Sequence, residues 1–157
     1  MRSVDRVREY FAQRGVQIEV KELSASTLTA PLAAEAVGAA LGSIVKSLVF
    51  IADGRAVLVL VAGDQRADAA KIAQLVGAQA ARIANAEEVR EQTSYAIGGV
   101  PPVAHTAPME TLIDETLLRF EKVWAAAGAP NALFEIDLRK LLELAQGRVA
   151  DIAVAQK

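Results

Sequence analysis

The sequence predicts an α+β fold, because hairpin-like pairs of apolar segments are mixed with helical segments and do not alternate with them one by one. The two pairs are residues 44–52 with 56–61 and residues 123–127 with 132–136. Asp53 and Gly54 form a strong two-residue turn signal between the first pair, and residues 128–131 (GAPN) join the second pair. Regular β-α-β alternation, which would predict a parallel sheet, is missing.

The first quarter of the chain predicts two helices and one strand. Ser3 is expected to cap a helix over residues 4–14. Residues 16–20 alternate between apolar and polar side chains, which is typical of a strand, and residues 24–30 are predicted to be a loop. Pro31 suits the first turn of a second helix. The apolar stripe of that helix would consist of Leu32, Ala36, Val37 and Ala40, with Gly42 after it.

The middle of the chain predicts the centre of the sheet. Residues 44–52 and 56–61 are almost continuously apolar, so both strands should be covered on both faces. A helix is expected next, with Asp68 near its start and Gly77 after its end. The later elements are a strand over 80–84, a helix that Asn85 and Glu88 begin as a capping box, a strand over 111–113, a helical turn over 115–120, and a last helix that Asp137 caps and Gly147 ends.

Composition limits the function classes. The chain has 157 residues, of which 53% are hydrophobic and 23% charged, and we expect one globular domain over 1–157. It has no cysteine, no apolar run long enough to cross a membrane and no secretion signal, so a cytoplasmic location is expected. A net charge of −2 argues against a protein that coats DNA, but not against one that grips the end of a strand.

Residues 95–105 (YAIGGVPPVAH) are the most unusual stretch of the sequence. They contain a glycine pair, a proline pair and the single histidine, His105. One interpretation is a tight turn between two strands. The other is a stiff loop whose remaining N–H groups point at a ligand, since glycine allows close approach and proline removes a donor. His105 is either a hydrogen-bonded loop residue or a base.

Lys46 is the second candidate. It lies early in the apolar run 44–50, and lysine is rarely fully buried. It either reaches water from the start of the strand or directs its ammonium into a cleft. The common nucleotide, metal and serine-hydrolase motifs are missing, and a single histidine cannot build a His-rich site. We therefore expect no metal and no cofactor.

Three segments in order resemble the YbaK/prolyl-tRNA synthetase-associated editing domain family. They are the lysine-bearing strand 44–50 (IVKSLVF), the helix 68–78 (DAAKIAQLVGA) and the glycine–proline loop 97–102 (IGGVPP). The resemblance covers nearly the whole chain. It implies a three-layer domain around a mixed, mostly antiparallel sheet, and hydrolysis of the ester in a mischarged aminoacyl-tRNA.

The resemblance also implies roles for residues. Lys46 would be the essential lysine near the terminal adenosine and the ester. Gly98 and Gly99 would supply the backbone that holds the ester and its oxyanion. The remaining substrate-binding positions would be Val100, Pro101, Pro102, His105, Ala126 and Gly128.

Three departures from the cysteine-removing branch of the family concern the substrate. This chain has Lys21 where that branch tends to carry an aromatic residue, and alanines near 126–127 where it tends to carry a serine. The branch also tends to carry an acidic residue close to Phe134. The expected substrate is therefore a tRNA, such as tRNA(Pro), that carries another small amino acid.

The expected function is that of a trans-editing deacylase that binds the acceptor end of aminoacyl-tRNA, with prolyl-tRNA synthetase as a candidate second partner. Two alternatives stay open at this point. One is a module that binds aminoacyl-tRNA or a synthetase without cleaving anything. The other is a hydrolase of a different small acyl ester.

Overall fold

A computed structural model describes residues 1–24 and 29–155 as a mixed sheet with helices on both faces. The helices are α1 Ser3–Gln13, α2 Ala30–Val37, α3 Ala69–Leu75, α4 Ala86–Thr93 and α5 Leu138–Ala145. The strands are β1 Val20–Glu22, β2 Ile44–Ala52, β3 Arg55–Ala62, β4 Ala81–Ile83, β5 Glu110–Asp114, β6 Lys122–Ala126, β7 Ala132–Asp137 and β8 Arg148–Ala150.

The strand order is β1-β7-β6-β2-β3-β5-β8, and β4 pairs with β2 outside this path. The pairs β1–β7, β6–β7, β2–β3 and β2–β4 are antiparallel. The pairs β2–β6, β3–β5 and β5–β8 are parallel. The predicted α+β class with a mixed, mostly antiparallel sheet is confirmed.

Both predicted hairpins form. Ala52 lies opposite Arg55, so Asp53 and Gly54 make a two-residue turn, and their φ angles of 47° and 83° are those of a type I′ turn. The second hairpin joins β6 to β7, where the N–H of Ala127 donates to the carbonyl of Ala132 at 2.8 Å.

The central strands β2 and β3 are covered on both faces, as their sequences predict. On one face, Val45 and Val49 of β2 pack in a core with α1, α4 and α5. On the other face, Phe50 packs in a second core with Ile72 of α3. The sheet is therefore the middle of three layers, which agrees with the architecture implied by the family resemblance.

Three details differ from the predictions, and part of a fourth lies outside the described residues. Ser3 is not the cap of α1, because Arg2 occupies that position and no side chain bonds the helix start. The strand expected over 16–20 begins only at Val20. Residues 25–28 of the predicted loop lie outside the described residues, and Thr29 caps α2 by accepting a hydrogen bond from the N–H of Leu32 at 3.3 Å. Strand β8 was not predicted.

The stripe predicted for α2 is also wrong. Ala33 and Ala34 face the core, whereas 49% of Leu32 is exposed. The helix ends at Gly38, which has a φ of 67°, before the expected Gly42. An alanine-rich helix has little contrast between its faces, and its smallest side chains allow it to approach β2 closely.

Candidate functional site

The candidate site is a gap in the sheet beside the lysine-bearing strand β2. One edge of β2 pairs with β3 along its length. On the other edge, β6 pairs only with Ile44 and Val45, and β4 pairs only with residues 50–52. Within the described residues, no strand pairs with Lys46, Ser47 or Leu48 on this edge. A cavity of about 410 Å³ opens where the partner strand is missing.

The cavity is lined mainly by small and apolar residues from five parts of the fold. They are Ala30, Pro31 and Ala33 of α2, residues 44–49 of β2, Ile83, Ala84 and Val89 around the start of α4, Ile97, Gly98 and Val100 of the glycine–proline loop, and Ala126 and Leu133 of the second hairpin. Among the described lining residues, Lys46 alone carries a charge. Such a cavity suits a small ligand with one polar or anionic group.

Lys46 is half-buried, and its ammonium donates a hydrogen bond to the backbone carbonyl of Gln65. Burial is the main cause that lowers the pKa of Lys46 below its ordinary value, and the nearby cation of Arg66 lowers it further. Asp64 acts in the opposite direction. Its carboxylate, however, is already bound to the guanidinium of Arg119 at 2.8 and 3.0 Å. No carboxylate within the described residues forms a salt bridge with Lys46.

The glycine–proline loop begins with a tight turn over residues 96–99. The N–H of Gly99 donates to the carbonyl of Ala96 at 2.9 Å, and Gly98 has a φ of 83° at the third position, as a type II turn requires. Among the described residues, the N–H groups of Gly98 and Val100 have no hydrogen-bond acceptor, and both residues line the cavity. Gly98 and Val100, more than Gly99, can therefore offer N–H groups to a ligand.

Gly99 allows the loop to pack closely against the second hairpin, and its N–H group is used within the turn. A Cβ atom at Gly99 would lie 2.8 Å from the Cα and the carbonyl carbon of Ala129. Real Cβ atoms do not approach backbone atoms that closely, so the missing side chain lets the loop press against the second hairpin. Gly128 is similar, since a Cβ there would lie 2.6 Å from the carbonyl oxygen of Ser3 in α1.

His105, at the end of the stretch 95–105, does not line the cavity. Its Nε2 lies 2.8 Å from the carbonyl oxygen of Pro101, and because a carbonyl can only accept, Nε2 carries the proton. Its Nδ1 is buried and has no partner among the described residues. Burial lowers the pKa of His105, with a smaller contribution from Arg6, whereas the bond to Pro101 raises it. His105 is therefore a neutral part of the loop's internal structure.

Helix α1 holds the same loop from the outside. Arg6 donates to the carbonyl of Ser94 at 2.9 Å, and its guanidinium lies 4.5 Å from the centre of the Tyr95 ring. The hydroxyl of Tyr95 donates to the carbonyl of Ala104 at 2.7 Å, and its ring meets that of His105 edge to face. These contacts close the loop on itself and fix its position over the cavity.

The structure brings together some of the predicted site residues and separates others. Lys46, Gly98, Val100 and Ala126 line the cavity. Gly99, Pro101, Pro102, His105 and Gly128 are not among its lining residues. The roles assigned to all of these positions remain predictions.

Ser47 is a site residue that the sequence reasoning missed. It lines the cavity next to Lys46, and its hydroxyl is buried with no hydrogen-bond partner among the described residues. A buried hydroxyl normally finds a partner, so this one is available to a ligand. The sequence feature that could have identified Ser47 is a polar residue inside an otherwise apolar strand.

Residues 1–24 and 29–155 contain neither a metal-binding cluster nor a membrane-spanning helix. No three His, Asp or Glu side chains lie close enough together there to hold a metal ion. None of the helices in these ranges is both long and apolar enough to cross a membrane.

Comparison with known proteins gives the geometry a context. Residues 24–144 match the profile of the aminoacyl-tRNA editing domain. The chain is 36% identical to the uncharacterized protein YwhH of Bacillus subtilis (strain 168), over 94% of each chain. It is also 37% identical, over 73% of its own length, to the proline–tRNA ligase of Bacillus licheniformis, of which it spans only 20%.

Two solved structures are similar to this chain in both sequence and fold. A candidate trans-editing enzyme for prolyl tRNA synthetase is 49% identical and superimposes with a TM-score of 0.90, with 98% of each chain covered. The hypothetical protein APE2540 is 34% identical with a TM-score of 0.88, over 95% of this chain and 99% of that one. With the editing-domain match over most of its length, the chain belongs to the aminoacyl-tRNA editing domain family.

Proposed function

We propose that this protein is a trans-acting deacylase that hydrolyses the ester of a mischarged aminoacyl-tRNA, with tRNA(Pro) carrying a small amino acid as the substrate. The observation that carries the proposal is one ammonium group, that of Lys46, at an apolar cavity that is also lined by Gly98 and Val100, whose N–H groups have no acceptor among the described residues. This combination suits an ester, which has a carbonyl to polarise and no charge of its own.

The reaction transfers an acyl group to water, and negative charge develops on the carbonyl oxygen. N–H groups that are already fixed in position stabilise that charge, and in other hydrolases one such donor contributes about 3–4 kcal/mol. The turn over residues 96–99 fixes Gly98, and its own hydrogen bond from Gly99 keeps the turn closed. In this proposal Gly98 and Val100 bind the oxyanion, while Lys46 orients the nucleotide end of the ester.

The described cavity lining contains neither a carboxylate nor a histidine that could remove a proton from water. The family resemblance implies that a hydroxyl of the substrate's own ribose, or its side chain, helps to activate the water. This agrees with the surroundings of His105, because its Nε2 is bonded to the carbonyl of Pro101 and the residue does not line the cavity.

The lining of the cavity, which is mostly apolar, suits an amino acid with a small and uncharged side chain. Ala126 and Leu133 line one part of the cavity. Next to Lys46 in β2, Ser47 adds an uncharged hydroxyl group. A synthetase separates side chains that differ by one methylene by only about 1–3 kcal/mol, so a second site that admits only small residues adds real discrimination.

The first prediction tests Lys46. Lys46→Ala should reduce deacylation of mischarged tRNA by at least about a hundredfold, as expected for loss of a charged contact that orients the nucleotide end of the ester. The variant should remain folded, because the side chain is only half-buried. The measurement is the deacylation rate for a panel of mischarged tRNAs, with the melting temperature of each variant.

Lys46→Met is the matched control, since it keeps the apolar stem and removes only the charge. It should be as inactive as Lys46→Ala. Near-normal activity in either folded variant would contradict the role of the ammonium. Tight binding of aminoacyl-tRNA by a wild-type protein that cleaves none of the panel would favour the non-catalytic alternative.

A further inference from the structure

Ser47 presents polar groups without partners at the gap in the sheet. Its hydroxyl lines the cavity, is buried, and has no hydrogen-bond partner among the described residues. Thr29 supplies the other hydroxyl of the described lining, and its oxygen already accepts from the N–H of Leu32 at 3.3 Å. The hydroxyl of Ser47 is therefore the side-chain acceptor that is available to a ligand on this strand.

The backbone of Ser47 also faces the gap. In an antiparallel ladder, every second residue bonds the partner strand. The carbonyl of Ile44 accepts from Gly63 at 2.7 Å, so the even-numbered residues of β2 bond β3 and the odd-numbered residues face the other edge. The carbonyl of Val49 lies on that edge and accepts from Ala84 at 2.9 Å. In residues 1–24 and 29–155, the N–H and carbonyl groups of Ser47 are bonded to no other strand.

The side chains of Lys46 and Ser47 lie on opposite faces of the sheet, because successive residues of a strand alternate. Ser47 shares its face with Val49, whose core includes Val100 of the glycine–proline loop. Lys46 shares its face with Phe50, which packs with α3. The central strand therefore lies between the ammonium group and the hydroxyl, and the cavity is lined by both residues at the gap.

An aminoacyl ester brings an α-amino group, which is mostly ammonium at neutral pH. An ammonium group needs hydrogen-bond acceptors, and the described lining of the cavity contains no carboxylate. The acceptors must then be neutral oxygens, such as the hydroxyl and the carbonyl of Ser47. The ammonium of Lys46 would repel a second cation on its own face, so the face of Ser47 is the favourable one for the α-ammonium.

We propose that Ser47 binds the α-ammonium group of the aminoacyl ester through its hydroxyl and its carbonyl, and that it thereby selects acyl groups with a free α-amino group. The proposal rests on the proposed function, since it takes an aminoacyl ester as the ligand. In this arrangement the amino acid lies on the face of the glycine–proline loop, beside Gly98 and Val100. The nucleotide end lies toward Lys46, and the ester bond lies in the gap.

The test is a binding measurement that does not depend on catalysis. Two stable amides, 3′-alanylamido-3′-deoxyadenosine and 3′-propionylamido-3′-deoxyadenosine, differ only in the α-amino group, and both are titrated by calorimetry against the wild type and Ser47→Ala. The wild type should bind the alanyl compound more tightly. Ser47→Ala should weaken binding of the alanyl compound by about tenfold, the usual scale for losing a hydrogen bond to a charged group, and leave the propionyl compound unchanged.

The melting temperature separates this role from a structural one. Ser47→Ala should melt at the same temperature as the wild type or higher, because it removes a buried hydroxyl that has no partner. Ser43→Ala is the matched control, since the hydroxyl of Ser43 donates to the carbonyl of Ala40 at 2.7 Å and the residue is not among those lining the cavity. Ser43→Ala should melt lower and bind both compounds as the wild type does.

Three outcomes would overturn the proposal. They are equal binding of the two compounds by the wild type, an equal loss of both in Ser47→Ala, and a loss confined to a seryl analogue, which would mean that the hydroxyl binds the substrate's side chain instead. The deacylase activity is judged separately, from ester hydrolysis by the wild type. If the alanyl compound is selected as expected while the wild type hydrolyses no ester, the α-amino site stands and the proposed deacylase activity falls.

Discussion

At the scale of single residues, the site combines one charged side chain with groups that are left without partners. Lys46 brings the charge, Ser47 a buried hydroxyl without a partner, and Gly98 and Val100 their N–H groups. Unsatisfied polar groups cost stability when they are buried. Their concentration around one cavity therefore indicates binding rather than a defect of packing.

His105 provides a prediction that separates two mechanisms. Its lowered pKa means that the folded protein favours the neutral ring. His105→Gln keeps a donor for the Pro101 carbonyl, and it should retain deacylation within about threefold, since no proton of the reaction passes through the ring. The measurement is the rate between about pH 5 and 8, where histidine titrates.

The same residue links stability to pH. Because the folded pKa is depressed, the stabilisation by neutral His105 is fully present above the unfolded value of 6.5 and is lost as the pH falls through the folded pKa. The melting temperature of the wild type should fall more steeply on acidification than that of His105→Gln. Activity loss as severe as that of Lys46→Ala, tracking a titration near neutral pH, would instead identify His105 as a base.

At the scale of elements, the glycine–proline loop is held in place by its neighbours. Gly99 allows contact with Ala129 of the second hairpin, and Arg6 of α1 binds the carbonyl of Ser94. The loop, the hairpin and the helix thus form one packed unit. This unit determines the position of the N–H groups of Gly98 and Val100.

Gly99→Ala tests that unit. The sequence alone predicts damage to chemistry more than to folding, but the added methyl would collide with the backbone of Ala129, so both should suffer. We expect a loss of about 1–3 kcal/mol in the free energy of unfolding, the usual cost of overpacking, and at least about a tenfold lower deacylation rate.

Gly77→Ala is the matched control for that experiment. It sits at a φ of 70° with no atom near its would-be Cβ, so it loses stability through backbone strain alone, away from the loop. It should keep its deacylation rate below its melting temperature. An equal rate loss in Gly77→Ala would show that activity follows global stability, and not the placement of the loop.

Local signals predicted the elements well, and non-local pairing decided the rest. The Asp53-Gly54 turn and the capping box of Asn85 and Glu88 depend on a few adjacent residues, and both form as expected. The gap beside β2 depends on where β4 and β6 stop pairing with it. No short stretch of sequence encodes that, which is why Ser47 was missed.

At the scale of the whole molecule, charge limits how nucleic acid can bind. The net charge is −2, and salt bridges such as Arg82–Glu88 and Arg2–Glu22 occupy many of the cations. Among the described residues that line the cavity, Lys46 alone carries a charge. The protein is thus suited to hold the end of a strand and not to follow a long backbone.

Salt dependence measures this directly. With about two phosphate contacts, the slope of log K against log salt for a single-stranded end should be near −1.4, so affinity for tRNA should fall only about sevenfold between about 50 and 200 mM salt. Fluorescence anisotropy with deacylated tRNA gives the slope, and a duplex RNA without a single-stranded end is the control, which should bind far more weakly. A loss of about a thousandfold over the same range would require about seven or more phosphate contacts and therefore a broad basic surface, contrary to the charge distribution described above.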